Sequence, residues 1–269
     1  MIELQHLTVG YGKKAILSDI NQTIESGQLV CLLGANGVGK STILRTIAGF
    51  MPPLCGTILI DEQDVSTFSI AQRSKIISVV LTDRVEVPCM KVVDLVRMGR
   101  SPYTGFFGTL TKKDKAIADE AIDMVGVSHL ATRTIDTLSD GERQKVLLAK
   151  ALAQQTPVIL LDEPTAFLDF HAKVSTLQFL LRLAHETNKT ILLSTHDVEM
   201  AIQLSDTLWI AQNGDIKAGT TLSLTKNGTL EHFLQVEPMA DASKGCQCII
   251  FDAENLTLKI NKDVVMPGT

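Results

Sequence analysis

Gly34-Ala35-Asn36-Gly37-Val38-Gly39-Lys40-Ser41-Thr42 is the stretch on which the reading of this chain turns. Residues 34–41 fit the pattern G-x-x-x-x-G-K-[ST]. An apolar, β-rich run (28–33) precedes them and a helical pattern (40–48) follows, which is the strand–loop–helix context a phosphate cradle requires. Glycines allow backbone N–H groups to curl inward around anionic oxygens. The positive end of the following helix points at the same place. Lys40 is then placed to reach the β- and γ-phosphates of a nucleotide, and the Ser41 hydroxyl to ligate Mg²⁺. The plainer alternative is an ordinary glycine-rich strand–helix turn.

A second stretch weighs against that alternative. Four apolar residues, 158–161, predict a buried strand that delivers Asp162 at its end, where a carboxylate can hold Mg²⁺ through water. Glu163 follows, a candidate to polarise an attacking water. Alone, an Asp-Glu pair reads as a solvated strand end; beside a phosphate loop it reads as chemistry.

Leu138-Ser139-Asp140-Gly141-Glu142 makes the reading specific. With the phosphate loop and the acid pair it resembles the nucleotide-binding subunit of ABC transporters, over residues 1–235. In that family the motif is LSGGQ, and each ATP lies between the phosphate loop of one subunit and this motif of the other. The resemblance implies an α/β fold: a P-loop NTPase core with an N-terminal antiparallel β subdomain and an inserted helical subdomain at about 84–155, then a short extension at 236–269. It implies that Ser139 and Gly141 offer a hydroxyl and an N–H to the γ-phosphate, while Asp140 adds charge there. The same residues also read as a helix cap, Ser139 with Glu142 three residues on. Further implied are Tyr11 stacking on adenine, Asp169 crossing the dimer, and His196 contacting the γ-phosphate beside Glu163. Where the family carries a Gln after the strand at 76–80, this chain has Leu81-Thr82-Asp83; Thr82 aligns best, with a shorter reach to metal or water.

Leu95-Val96-Arg97-Met98-Gly99-Arg100-Ser101-Pro102-Tyr103 resembles the branch serving importers of iron chelates, haem and cobalamin. That resemblance implies ATP and Mg²⁺ as cofactors, a homodimer, two copies of a membrane permease and, indirectly, a substrate-binding protein. It also implies a peripheral place on the cytoplasmic face of the inner membrane. Phe106, Phe107 and Tyr103 are expected to line a groove for a permease helix, or else to pack the insertion.

Bulk properties agree. The chain has 269 residues, 45% hydrophobic and 20% charged, enough for one large α/β domain with an appendage. A net charge of −5 gives no sign of a nucleic-acid partner. No apolar run reaches the roughly 18 residues that cross a bilayer, and the first residues read as a strand rather than a secretory leader. Cysteines at 31, 55, 89, 246 and 248 are scattered and read as reduced; the 246/248 pair lacks neighbours to complete a metal site.

Further strands are expected at 2–9, 16–24, 57–60, 190–195 and 207–211, and helices at 92–98, 112–125, 142–153, 171–186, 197–204 and 230–235. A loop is expected at 99–108, a hairpin turn at 213–215, and tail strands at 246–251 and 256–260. The competing class is a soluble ABC-type ATPase acting in protein assembly or on nucleic acid; no long insert before the 138–142 motif and no second cassette support it. That motif also argues against a P-loop kinase, and the lack of an NKxD-type base reader against a GTPase.

Overall fold

In chain order, β1 (Ile2–Tyr11) and β2 (Lys14–Ile24) form a hairpin, β3 (Leu29–Leu33) runs into α1 (Lys40–Ile47), and β4 (Cys55–Ile60) and the short β5 (Gln63–Asp64) follow. Then come α2 (Ile70–Ile76), β6 (Ile77–Val80), α3 (Val92–Arg97), α4 (Lys112–Met124), α5 (Asp140–Ala153) and β7 (Val158–Asp162). The last part holds α6 (Phe170–Thr187), β8 (Thr190–Thr195), α7 (Val198–Leu204), β9 (Thr207–Gln212), β10 (Asp215–Gly219), α8 (Thr221–Lys226), α9 (Thr229–Leu234), β11 (Ile249–Asp252) and β12 (Thr257–Ile260). This computed structural model describes residues 1–81, 89–105, 107–234, 249–252 and 257–260; Thr82, Phe106, Cys246 and Cys248 lie outside the described residues.

Two sheets carry the site. One is antiparallel, in the order β2-β1-β4-β5; the other runs β10-β9-β3-β8-β7-β6, parallel except for β10. Every residue of β3, β7 and β8 is buried, because the parallel sheet is covered on both faces. Alternation along β3 shows the two coverings. Val30 and Leu32 join Leu160, Leu192 and Trp209 in a core shared with α1 and the antiparallel sheet. Leu29, Cys31 and Leu33 join Leu161 and Leu193 in a core shared with the helices on the other side.

The hairpin expected at 213–215 forms, with Asn213 (φ 53°) and Gly214 (φ 80°) between paired Gln212 and Asp215. β11 and β12 pair in the tail; β12 lies within the stretch expected at 256–260, and β11 overlaps the one expected at 246–251 and runs one residue past it. Three sequence expectations change. Residues 98–103 wind into a 3-10 helix instead of an open loop. The helix expected from 142 begins at Asp140, because Ser139 and Glu142 close a reciprocal capping box. α2 and α8 were not expected at all.

The 98–103 turn is wound by tertiary contacts. A Cβ on Gly99 would stand 2.4 Å from the Lys150 carbonyl, so the turn lies directly on α5. Arg100 is buried, with Nε 3.1 Å from Asp114 and Nη1 donating to Ala153 O (2.8 Å) and Gln155 Oε1 (3.1 Å). Its guanidinium lies 4.0 Å from the Tyr103 ring, and the Tyr103 hydroxyl donates to Gln154 O (2.9 Å). Gln154 in turn donates to Ser74 O and Ile77 O, which joins α5 to the end of α2 and the start of β6. Tyr103 is thus a strut of the helical layer, whereas Phe107 is 90% exposed.

Candidate active site

Most of the candidate groups sit where parallel strands end. β3 ends at Leu33, and the phosphate-loop residues Gly34, Ala35, Asn36, Gly37, Val38 and Gly39 lead into α1, which begins at Lys40, Ser41 and Thr42. A Cβ on Gly34 would meet Val38 Cγ1 at 2.7 Å and Ala211 O at 2.8 Å; one on Gly39 would meet Ile16 Cγ2 at 2.8 Å. Gly39 also has φ 113°, which L side chains avoid. It stands at the N-cap of α1 with no capping side chain, and the first turn holds no acid. The N–H groups there have no side-chain acceptor of their own, which suits an anion.

Lys40 is buried and its ammonium donates to Gly34 O (2.7 Å) and Ala35 O (3.1 Å). Burial pulls it below the ordinary lysine range, while the Glu163 and Asp162 carboxylates oppose that shift. Tyr11, at the end of β1, is 55% exposed, and Thr42 Oγ1 donates to its hydroxyl at 3.4 Å. An exposed ring beside the first turn of α1 is what stacking on a base needs.

β7 ends at buried Asp162, in register with Ser194 of β8. Ser194 Oγ donates to Asp162 Oδ1 at 2.5 Å and accepts from the Glu163 N–H at 3.0 Å. Glu163 takes a left-handed backbone (φ 48°) that turns its side chain out of the strand line, held by a second bond from its N–H to Ser194 O (3.2 Å). Its Oε2 lies 3.3 Å from Nδ1 of His196, which follows β8. Ser194 is a site residue that the sequence reading missed. Its sequence signal was weak: a serine that, with Thr195, closes the apolar run 191–193 of its strand.

The 138–142 motif lies elsewhere. Ser139 caps α5, and Glu142 Oε2 accepts from the Ser139 N–H (2.8 Å) and hydroxyl (3.0 Å). Those bonds hold the Glu142 carboxyl below its ordinary range. Asp140 stands in the first turn, where the helix dipole favours an acid, with Arg143 Nη1 at 3.7 Å. A Cβ on Gly141 would stand 3.0 Å from Phe167 O and 3.2 Å from Leu168 Cδ2, so α5 begins against the Phe167 backbone and the Leu168 side chain. Asp169, next in line, caps α6 by accepting from the Ala172 N–H (2.9 Å). Among the described residues, no hydrogen bond joins Ser139 or Gly141 to the phosphate loop of the same chain.

Compared with known families, residues 17–166 match the family described as ABC transporter. The chain belongs to that ABC transporter family. It is 38% identical over 81% of its length to an ABC transporter ATP-binding protein of Methanocaldococcus jannaschii, covering 75% of that protein. It is 39% identical over 85% of its length to the cobalamin import ATP-binding protein BtuD of Halobacterium salinarum, of which it spans 57%. It is 35% identical over 88% of its length, and 88% of the relative's, to the iron(3+)-hydroxamate import ATP-binding protein FhuC of Bacillus subtilis. Among solved structures, it resembles an inward-facing ABC transporter described as of metal-chelate type (TM-score 0.75, 28% identity, 86% of this chain and 88% of that one). It also resembles the dimeric post-hydrolysis state of the cassette MJ0796 bound to ADP and Pi (TM-score 0.73, 26% identity, 82% and 99%). This ABC chain is therefore an ATP-binding ATPase domain. Among its described residues no helix is long and apolar enough to cross a membrane.

Proposed function

We propose that this chain is the ATP-hydrolysing subunit of an importer for a metal chelate: a ferric siderophore, haem or cobalamin. The observation that carries the proposal is the likeness, at 35–39% identity, to ATP-binding proteins named for import of cobalamin and of iron(3+)-hydroxamate. The 95–103 segment resembles the same branch, and its Gly99, Arg100 and Tyr103 pack the insertion against α5. Residues 1–235 are the ATPase domain and 236–269 a C-terminal extension. A homodimer works with two copies of a transmembrane permease, and through them with a substrate-binding protein, at the cytoplasmic face of the inner membrane.

In this mechanism Lys40 and the N–H groups from Gly34 to Thr42 cradle the β- and γ-phosphates, and Tyr11 stacks on the base. Ser139 and Gly141 of a second copy close over the γ-phosphate at the start of their helix. Asp169 crosses between the copies. Glu163 orients and polarises the water, and His196 holds Glu163, already 3.3 Å away, in line with the phosphorus. The donors near the phosphates are hard oxygens, which fits Mg²⁺: Ser41 and buried Asp162 would hold it, with Thr82 a third candidate. The ion would supply charge neutralisation on the phosphate oxygens.

The test is to purify tagged Glu163→Gln protein from detergent-solubilised membranes with ATP and Mg²⁺, and to identify co-purifying proteins by mass spectrometry. A polytopic permease supports the importer, and its identity narrows the cargo. A soluble partner with no permease overturns it.

A further inference from the structure

Two local rules are broken side by side at the start of α6 and α7. Lys173 stands in the first turn of α6, its N–H bonded to Asp169 O at 2.9 Å. A cation there faces the positive end of the helix dipole, which favours an acid. Asp197 stands at the N-cap of α7, a position where Asp normally accepts from the helix N–H groups, yet its side chain caps nothing. One contact accounts for both departures. Lys173 Nζ lies 3.1 Å from Asp197 Oδ2, and the two side chains are only 21% and 22% exposed. The carboxylate is drawn away from its own helix to the ammonium of the other.

What the pair holds together matters more than its own strength. Asp197 directly follows His196, whose Nδ1 lies 3.3 Å from Glu163. The Asp197 N–H is further pinned to Thr195 Oγ1 (3.0 Å), so the turn carrying His196 is fixed on both sides. Lys173 belongs to the helix that Asp169 caps, directly after Phe167 and Leu168, against which Gly141 packs. A continuous line of contacts thus runs from the α5 N-terminus through Phe167, Asp169, Lys173 and Asp197 to His196 and Glu163.

We propose that Lys173 is a positioning residue for hydrolysis: its ion pair with Asp197 ties the start of α6 to the turn bearing His196, and so sets the imidazole against Glu163. The inference rests on Glu163 and His196 being the hydrolytic pair. Local rules tend to be broken where function requires it, and this pair lies beside the reacting groups.

The test is steady-state ATPase kinetics on Lys173→Met, Asp197→Asn, the double variant and Lys173→Arg, with thermal melting of each. Lys173→Met is expected to lower kcat about fivefold, the rate equivalent of a coupling near 1 kcal/mol. KM for ATP and the melting temperature stay close to those of the parent. Lys173→Arg restores kcat, because the cation is kept, and the double variant is no slower than the worse single one. Unchanged kcat in Lys173→Met overturns the proposal. So does a loss that tracks melting temperature, or strict additivity in the double variant, since packing alone explains either. Glu163→Gln is assayed alongside. If it retains turnover, the reading of the hydrolytic pair fails; if it is inactive while Lys173→Met is not slowed, only the role of Lys173 fails.

Discussion

Replacing Ser194 by alanine removes two hydrogen bonds of one hydroxyl in the candidate site. The hydroxyl is fully buried, donates to Asp162 Oδ1 at 2.5 Å and accepts from the Glu163 N–H at 3.0 Å. The two losses differ in weight. The Glu163 N–H keeps the Ser194 carbonyl at 3.2 Å, so its desolvation is largely covered. The Asp162 carboxylate loses a short bond in a buried place, and bonds to charged groups contribute about 1.5–3 kcal/mol. Asp162 has a further interaction, which places the expected cost near the lower half of that range, about 2 kcal/mol. For a domain of this size that lowers the melting temperature by about 4–8 °C. If Asp162 holds Mg²⁺, Ser194 also orients a metal ligand, and removing such a partner typically costs 10–100-fold in metal affinity. The assay is ATPase rate against free Mg²⁺ at saturating ATP, with thermal melting in parallel. The half-saturating Mg²⁺ concentration should rise at least about tenfold. A lower melting temperature with unchanged Mg²⁺ dependence would refute the metal-site argument and leave Ser194 as packing.

Glu163→Gln keeps the shape of the side chain and an acceptor facing His196 Nδ1, so melting temperature and ATP binding should hold while kcat falls about 10²-fold or more; turnover within about threefold of the parent removes Glu163 from its role. Lys40 is held below its ordinary range by burial, so it loses its proton earlier than a solvated lysine as pH rises, and nucleotide affinity should fall on the alkaline side below pH 10.5. Glu163 is the larger opposing influence on Lys40, so Glu163→Gln should move that fall to lower pH; fluorescent-nucleotide titrations against pH that show it moving upward contradict the electrostatics. Gly141→Ala places a Cβ 3.0 Å from Phe167 O, so the start of α5 must shift away from the Phe167 backbone, at about 1–2 kcal/mol. Wild-type melting and wild-type ATPase together would show that the close approach is dispensable.

How much of this was legible in the sequence differs by element, for physical reasons. The phosphate loop was legible because a cradle needs particular residues at fixed spacing, and the central strands because a sheet covered on both faces demands unbroken apolar runs. α2 was missed because none of its residues is buried, so it carries no amphipathic stripe; only the Ser69–Gln72 capping box marks it. The 98–103 turn read as a loop because glycine and proline punctuate it. What winds it is the buried pairing of Arg100 with Asp114 and the carbonyl of Ala153, partners far along the chain. Ser194 escaped for a related reason. Its role exists only once β7 and β8 lie in register, which no single strand reveals.

In the proposed head-to-tail mechanism one copy is an incomplete catalyst. In a single chain Lys40 is turned onto the carbonyls of its own loop, while the other anion-favouring helix end, at Ser139 and Gly141, contacts Glu142, the Phe167 backbone and the Leu168 side chain. Two positive helix ends that no hydrogen bond joins among the described residues of one chain are complementary halves if a second copy is added head to tail. Phosphates placed between them would draw Lys40 off its carbonyls and add an acceptor at the α5 terminus beside the Ser139 hydroxyl that already takes the Glu142 N–H. In the proposed importer ATP would act as the joint between copies, and breaking its terminal bond would weaken that joint and so be felt by the membrane partner.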